Sequence, residues 1–206
     1  MYLMRPATTH DRAAYTELIR ARAAWMVRTG KVGGEELLEG DRAEQIAAQA
    51  GNDHTPVWAL TTPEGELVGC TSLYDQTPEW GWTDAERSDP ALFLATTFTH
   101  PGHRAAQPGT LMAWWALGHA ARTGKLWVRR GCGHLGLVRH YRDHQGFDLI
   151  HKTERGGHSA YLLAREAEEI RHLPVTTLFT YPGAGWLAGS ATKSRPCGST
   201  GPTPTS

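Results

Sequence analysis

Residues 91–123, ALFLATTFT-HPGHRAAQPG-TLMAWWALGHAART, pass from an alternating apolar segment through a short basic loop into an apolar stretch of helical length. Gly124 ends that stretch, and KLWVRR follows with the composition of a strand. A strand that feeds a helix and is followed by a further strand commits this part of the chain to an α/β sheet. The loop has the makings of an anion site. The first N–H groups of a helix lack intrahelical partners and carry partial positive charge, so they attract phosphate. Arg104 adds a formal charge. Two residues work against this: Gln107 is bulky, and Pro108 has no N–H to donate. Proline is at home in the first helical turn, however, and the Gln107 side-chain amide can donate instead. On these residues alone the loop is either a phosphate cradle or a plain strand-to-helix connection with proline as its start signal.

Thr8-x-x-Asp11 is a capping-box-like start, after which Ala14, Leu18, Ala21 and Trp25 recur on one helical face. Gly30, Gly33 and Gly34 break that pattern, and a second helix is expected from Asp41 to Ala50, stopped by Gly51. PVWALTT and ELVGCTSLY, joined by Pro63-Glu64-Gly65, read as a β-hairpin. Residues 75–90, DQTPEWGWTDAERSDP, read as a loop beside the sheet. LGLVRHYRDHQ carries apolar positions 137, 138 and 141 at helical spacing and closes at Gly146; FDLIHKT and SAYLLAR then flank residues 154–157 as a second hairpin. The resulting order, β-α-α-β-β-β-α-β-α-β-β, implies a mixed, mostly antiparallel central sheet of about seven strands flanked by helices. Residues 1–173 form this domain. The pattern decays in the extension 174–206, which is Gly/Ser/Thr/Pro-rich and expected to be disordered from about Gly183.

The 206 residues suit one domain, and a formal net charge of zero argues against nucleic acid or an acidic membrane surface as partner. No stretch approaches the ~18 apolar residues of a membrane span. MYLMRPATTHDR lacks the apolar core of a signal peptide, so a cytoplasmic location is expected. Cys70, Cys132 and Cys197 are isolated, which argues against a disulfide framework or zinc ribbon. His140 and His144 share a helix face, but no acidic or cysteine ligand stands at a recognised spacing, so no metal is expected.

Taken together, TFTHPGHRAAQPGTLMAWWALGHAARTG, then LWVRR, then LVRHYRDHQGF resembles the GCN5-related N-acetyltransferase (GNAT) family. A strand runs into Pro101 and a basic loop at a helix start, an Ala-rich helix ends at Gly124 before a strand, and a helix ends in Tyr141-x4-Gly146-Phe147. The likeness covers about residues 1–165, is strongest over 91–147, and is nearest to actinobacterial-type small-molecule acetyltransferases. It implies acetyl-CoA as cosubstrate and a sheet whose fourth and fifth strands splay apart. By the same resemblance Arg104, Ala105, Ala106, Gln107, Pro108, Gly109 and Thr110 would hold the pyrophosphate. Thr97, Phe98 and Thr99 would run beside the pantetheine arm, and His134 would touch the cofactor.

Acetyl transfer to an amine needs a proton for the departing thiolate, and a phenol with a pKa near ~10 can supply it. The resemblance gives Tyr141 this catalytic role; on spacing alone it belongs to the apolar stripe of its helix. LFLATTFT holds no carboxylate or histidine, so a general base would come from Asp75, Glu79, Asp84 or a water relay, and none is singled out. Arg129 and Arg130 end the fifth strand, one pointing inward by alternation, and a surface ion pair is expected for them over contact with an acceptor carboxylate. Trp25, Trp80 and Trp82 are candidates to wall an acceptor pocket, core packing on the first helix being the stronger expectation for Trp25. The implied activity is N-acetylation of a small-molecule amine by a monomer or homodimer. The second reading is a GNAT-fold binding module with weak or no catalysis.

Overall fold

The structure, a computed structural model, describes residues 1–178; the segment expected to be disordered from about Gly183 lies outside the described residues. Eight strands form one sheet: β1 (Tyr2–Pro6), β2 (Val57–Thr61), β3 (Leu67–Tyr74), β4 (Ala91–Thr99), β5 (Trp127–Cys132), β6 (Asp148–Arg155), β7 (His158–Glu166) and β8 (Val175–Thr177). Their spatial order is β6-β7-β5-β4-β3-β2-β1-β8. Only the β4–β5 and β1–β8 pairs are parallel, so the sheet is mixed and mostly antiparallel. The strand beyond the expected seven is β8. It lies past Leu173, in the part read as patternless, because three residues are too few to show an alternation. The sheet supplies what they lack: Tyr2 pairs with Val175, and the Trp115 indole N–H donates to Thr177 Oγ1 at 2.8 Å.

The helices are α1 (Arg12–Arg28), α2 (Gly34–Leu38), α3 (Arg42–Ala47), α4 (Asp84–Ser88), α5 (Pro108–Arg122) and α6 (Leu135–Gln145). The helix expected from Asp41 to Ala50 is α3 and is shorter, since residues 48–50 form a turn before Gly51, while α2 was not expected. The segment 75–90 is not all loop. Thr83 N–H donates to Glu86 Oε2 at 2.8 Å and Glu86 N–H to Thr83 Oγ1 at 3.3 Å, a reciprocal cap that starts α4.

One face of the sheet is covered by α5, whose buried Met112, Trp115, Ala116 and Leu117 pack with Leu60, Leu94, Val128 and Leu163. The other face is covered by α1, whose Tyr15, Leu18 and Ile19 pack on Val57, Ala59 and Cys70. Each such large apolar side chain contributes roughly 1.5–3 kcal/mol when fully buried. The inward face of α1 is thus Tyr15, Leu18, Ile19 and Ala23, and Trp25 corrects the expectation of core packing. It sits in the last turns of α1, some 20 Å of helix from the N-terminus at ~1.5 Å per residue. There it is only half-buried, with the guanidiniums of Arg22 and Arg104 4.5 and 5.2 Å from its ring centre. No described helix is long and apolar enough to cross a membrane.

Candidate active site

The site begins with a break in the sheet. β4 and β5 pair only from Ala91–Trp127 to Leu94–Arg130, although β4 continues to Thr99 and β5 to Cys132. On the other side of β4 the register to β3 shifts between Thr71–Thr97 and Leu73–Leu94, which leaves one extra residue in β4. Such a bulge bends the strand that carries it, and it lies where β4 leaves β5. The two strands therefore splay, as the resemblance implied. A cleft of about 480 Å³ opens between them, with Phe93, Ala95, Thr96 and Thr97 on one wall and residues 130–133 on the other. Leu137 and Tyr141 of α6 close it from the α5 side; Trp80, Arg155 and His158 close it from the opposite side.

Tyr141 reaches the cleft because α6 turns a different stripe inward than expected. Val138 and Gln145 are its buried residues, while Leu137 stays 38% exposed at the cleft. Gly146 then takes φ +70° as the left-handed cap of α6, and Phe147 packs into the core. The Arg130 guanidinium lies 3.3 Å from the centre of the Tyr141 ring and 5.5 Å from that of Phe147. Arg130 Nη1 donates to Gln145 Oε1 at 2.8 Å, and its Nε–H has no acceptor.

Both arginines of β5 are buried, Arg129 to 2% and Arg130 to 3% exposure, which corrects the expectation of a surface ion pair. They point to opposite faces. Arg129 donates to Thr77 Oγ1 at 2.8 Å, to the Glu86 carbonyl, and to Asp89 Oδ2 at 3.2 Å. Arg130 meets no carboxylate among the described residues. Burial pushes its guanidinium below the ordinary value, against the opposing influence of the Tyr141 and Cys132 side chains.

The loop before α5 is a tight helical turn over Pro101–Ala106. Gln107 follows at φ 51°, ψ 53°, a left-handed conformation that costs a non-glycine residue about 1–2 kcal/mol. Its carbonyl accepts the N–H groups of Thr110 and Leu111 at 2.9 and 3.1 Å, and its own N–H donates to the Arg104 carbonyl at 3.1 Å. With Pro108 lacking a donor, Gly109 is left with the N–H in the first turn that has no backbone acceptor among the described residues. In this turn Ala105 is exposed and Ala106 half-buried. Arg104 is exposed above Trp25. Burial and the charge of Arg104 lower the Arg22 guanidinium, with Tyr141 opposing them.

The remaining residues divide clearly. Thr97 lines the cleft and its Oγ1 bonds to Thr71 Oγ1 at 2.8 Å. Thr99 stands beside Gly109, its Cγ2 3.7 Å from where a Cβ there would lie. Phe98 turns the other way, edge-on to Tyr15 at 6.2 Å. His134 is exposed at the start of α6 and outside the cleft lining; its carbonyl accepts the Cys132 S–H at 3.8 Å. Trp80 lines the cleft, whereas Trp82 is buried against Leu162 and Ala164. Of the carboxylates weighed as bases, Glu79 and Asp84 pair with Arg87 at 3.6 and 3.0 Å, and neither they nor Asp75 line the cleft. Sequence reasoning missed Arg155, His158 and Gln145. The first two lie in a segment legible only as a hairpin turn, while a glutamine ending an amphipathic helix gives no sign that it will be buried under an arginine.

No protein-family model matches the chain, and no curated protein matches it in sequence. Solved structures do match it in fold. A GNAT-family acetyltransferase from Listeria monocytogenes superposes with a TM-score of 0.62 at 20% identity, over 80% of this chain and 94% of that one. The PaiA N-acetyltransferase of Thermoplasma acidophilum, in complex with coenzyme A, superposes with a TM-score of 0.56 at 12% identity, over 81% of this chain and all but 1% of that one, 99% being covered. The chain therefore has the fold of the GCN5-related N-acetyltransferases.

Proposed function

We propose that this chain transfers an acetyl group from acetyl-CoA to the amine of a small molecule. The observation that carries the reading is the cleft itself: a splayed pair of parallel strands, with a tyrosine on its wall and a basic helix-start loop at the end of β4. The edge of β4 from Ala95 to Thr99 has no partner on the β5 side, so its backbone groups are free to pair with the amide-bearing arm of a cosubstrate. Thr99 leads to Gly109, whose open N–H, with Arg104, offers the pyrophosphate a donor and a charge. That a structure of similar fold holds coenzyme A supports this assignment.

When bound, acetyl-CoA supplies the thioester. Tyr141 then donates its phenolic proton to the sulfur as the carbon–sulfur bond breaks. His158 is the cleft-lining side chain suited to accept a proton from the attacking amine, through the lone pair of its neutral imidazole. Action in the cytoplasm, as a monomer or homodimer of the actinobacterial small-molecule type, belongs to this reading.

Tyr141→Phe should lower kcat by ~10²-fold or more with acetyl-CoA affinity nearly unchanged. Thiol release measured across a panel of amines tests this, and unchanged turnover with chemistry rate-limiting would remove Tyr141 from the role. One observation favours the second reading, a weakly catalytic binding module: the first turn of α5 keeps few open donors. Slow turnover with every amine, alongside measurable CoA binding, would select that reading.

A further inference from the structure

The charged groups of the cleft are basic. Its lining contains Arg130 on the α6 side, Arg155 and His158 on the Trp80 side, and no aspartate or glutamate. Arg155 and His158 are directly paired across the β6–β7 hairpin, so their side chains share a face. By strand alternation Glu154 points to the opposite face. A guanidinium opposite an imidazole is an unfavourable pair whenever the imidazole is protonated, and among the described residues neither has an acidic partner. Arg155 is held in place by stacking, its guanidinium 4.4 Å from the centre of the Trp80 ring. Trp80 in turn packs over Gly131, where a Cβ would come within 3.1 Å of the indole.

The floor of the cleft points the same way. Arg130 is buried, its Nε–H has no acceptor, and Nη1 alone is bonded, to the neutral Gln145. A buried cation without an anion is costly for a fold to hold, and Arg130 lines the cleft, so its uncompensated charge favours an anion there. The pyrophosphate end does not account for this charge. That end lies past Thr99 at Gly109 and Arg104, outside the cleft lining, and has its own arginines there.

From the buried, anion-free Arg130 and the Arg155–His158 pair, we propose that the acceptor is an amine carrying an anionic group, a carboxylate or a phosphonate, which Arg155 holds on the Trp80 side, with Arg130 adding positive potential from the α6 side, while the amine faces the thioester. This specificity rests on the acetyl-transfer reading. It predicts discrimination against plain and polycationic amines, which would bring a further positive charge into a cleft that lacks any negative one.

Matched acceptors test it: methionine against methionine amide, 3-aminopropylphosphonate against propylamine, and putrescine as a dication. Each is titrated into the protein with and without saturating CoA, by calorimetry and thermal shift, and each is assayed for acetylation. The expected result is binding and kcat/KM at least tenfold higher for the anionic member of each pair, the carboxylate and phosphonate arms showing which anion is preferred. Arg155→Ala and Arg130→Met should each reduce that preference by about tenfold or more. The conservative Arg155→Lys should recover part of it, and the affinity for acetyl-CoA should hold in all three. Equal or better binding of the amide and amine members overturns the proposal, as does failure of every anionic member to bind in either state. If acetyl-CoA itself does not bind, the acetyl-transfer reading fails, and the anion titrations without CoA still decide whether the cleft selects anions.

Discussion

Arg129 and Arg130 are neighbours on one strand, equally buried, and the fold treats them in opposite ways. Arg129 is closed into structure: a threonine hydroxyl, a backbone carbonyl and the Asp89 carboxylate take its terminal N–H groups, and Trp82 lies 5.0 Å away. Arg130 is left open, with one neutral acceptor and an aromatic ring on the cleft wall. Both have an Nε–H without acceptor, so the difference lies in the anion. A cation that the fold has already neutralised serves the fold. One that it has buried without an anion, at the edge of a cleft, is set for something that arrives.

The largest expected effect is on the closed side. Arg129→Met leaves the Glu86 carbonyl and Asp89 without their donor and should cost about 3 kcal/mol, the low end for a broken buried pair because Asp89 can still meet water. Denaturant unfolding measures this. A loss below about 1 kcal/mol would show that Arg129 is no more committed to structure than Arg130.

The second effect belongs to the open side. In Gln107→Gly/Pro108→Leu, glycine accepts the left-handed backbone without strain, and leucine returns one N–H to the first turn of α5. A charge-assisted hydrogen bond is worth about 1.5–3 kcal/mol, so CoA affinity should rise roughly tenfold at ~1.4 kcal/mol per decade. Relief of the strain at Gln107, about 1–2 kcal/mol, roughly offsets the added freedom of the unfolded chain. Calorimetric titration showing no change in affinity would mean that the loop is a connection only.

Arg130→Met should move stability by no more than about 1 kcal/mol, because the hydrogen bond lost to Gln145 is set against relief of a buried cation. A loss near 3 kcal/mol would place Arg130 with Arg129 as a structural group.

The smallest effect is a pH dependence at another closed pair, Arg5–Asp11. Burial would raise the Asp11 carboxyl, but Arg5, which donates to it at 2.8 and 2.6 Å, and the Thr8 N–H outweigh burial and hold it below the usual carboxylate range. A group depressed in the folded state contributes stability above its unfolded pKa of ~3.9. That contribution is lost as pH falls through the lower folded value, so Asp11→Asn should make the acid limb of the stability curve shallower. An unchanged acid limb would show that the pair contributes nothing measurable.

What was legible in the sequence follows from which signals are local. Strand alternation, glycine stops and the Tyr141-x4-Gly146-Phe147 ending are properties of short segments, and they yielded the element order and one wall of the cleft. The Thr83-x-x-Glu86 cap was equally local and was passed over among turn-forming residues. β8 could not be read, because three residues acquire their structure from β1 and not from their own pattern. The fates of Arg129, Arg130 and Trp25 were illegible for another reason. Each depends on what the 75–90 segment, α6 and the 101–106 turn bring to it across the fold. The same holds for Arg155 and His158, whose opposition across a hairpin became chemistry only when β5 parted from β4 in front of them.

The central claim is that the parted strands hold acetyl-CoA, and calorimetric titration of acetyl-CoA into the 206-residue chain tests it most directly. The account predicts saturable binding at one site per chain, competed by CoA and weakened by Arg104→Ala more for CoA than for a pantetheine fragment lacking the phosphates. Absence of heat up to millimolar acetyl-CoA, together with an unmoved melting temperature where a ligand specific for the native state must raise it, would contradict it.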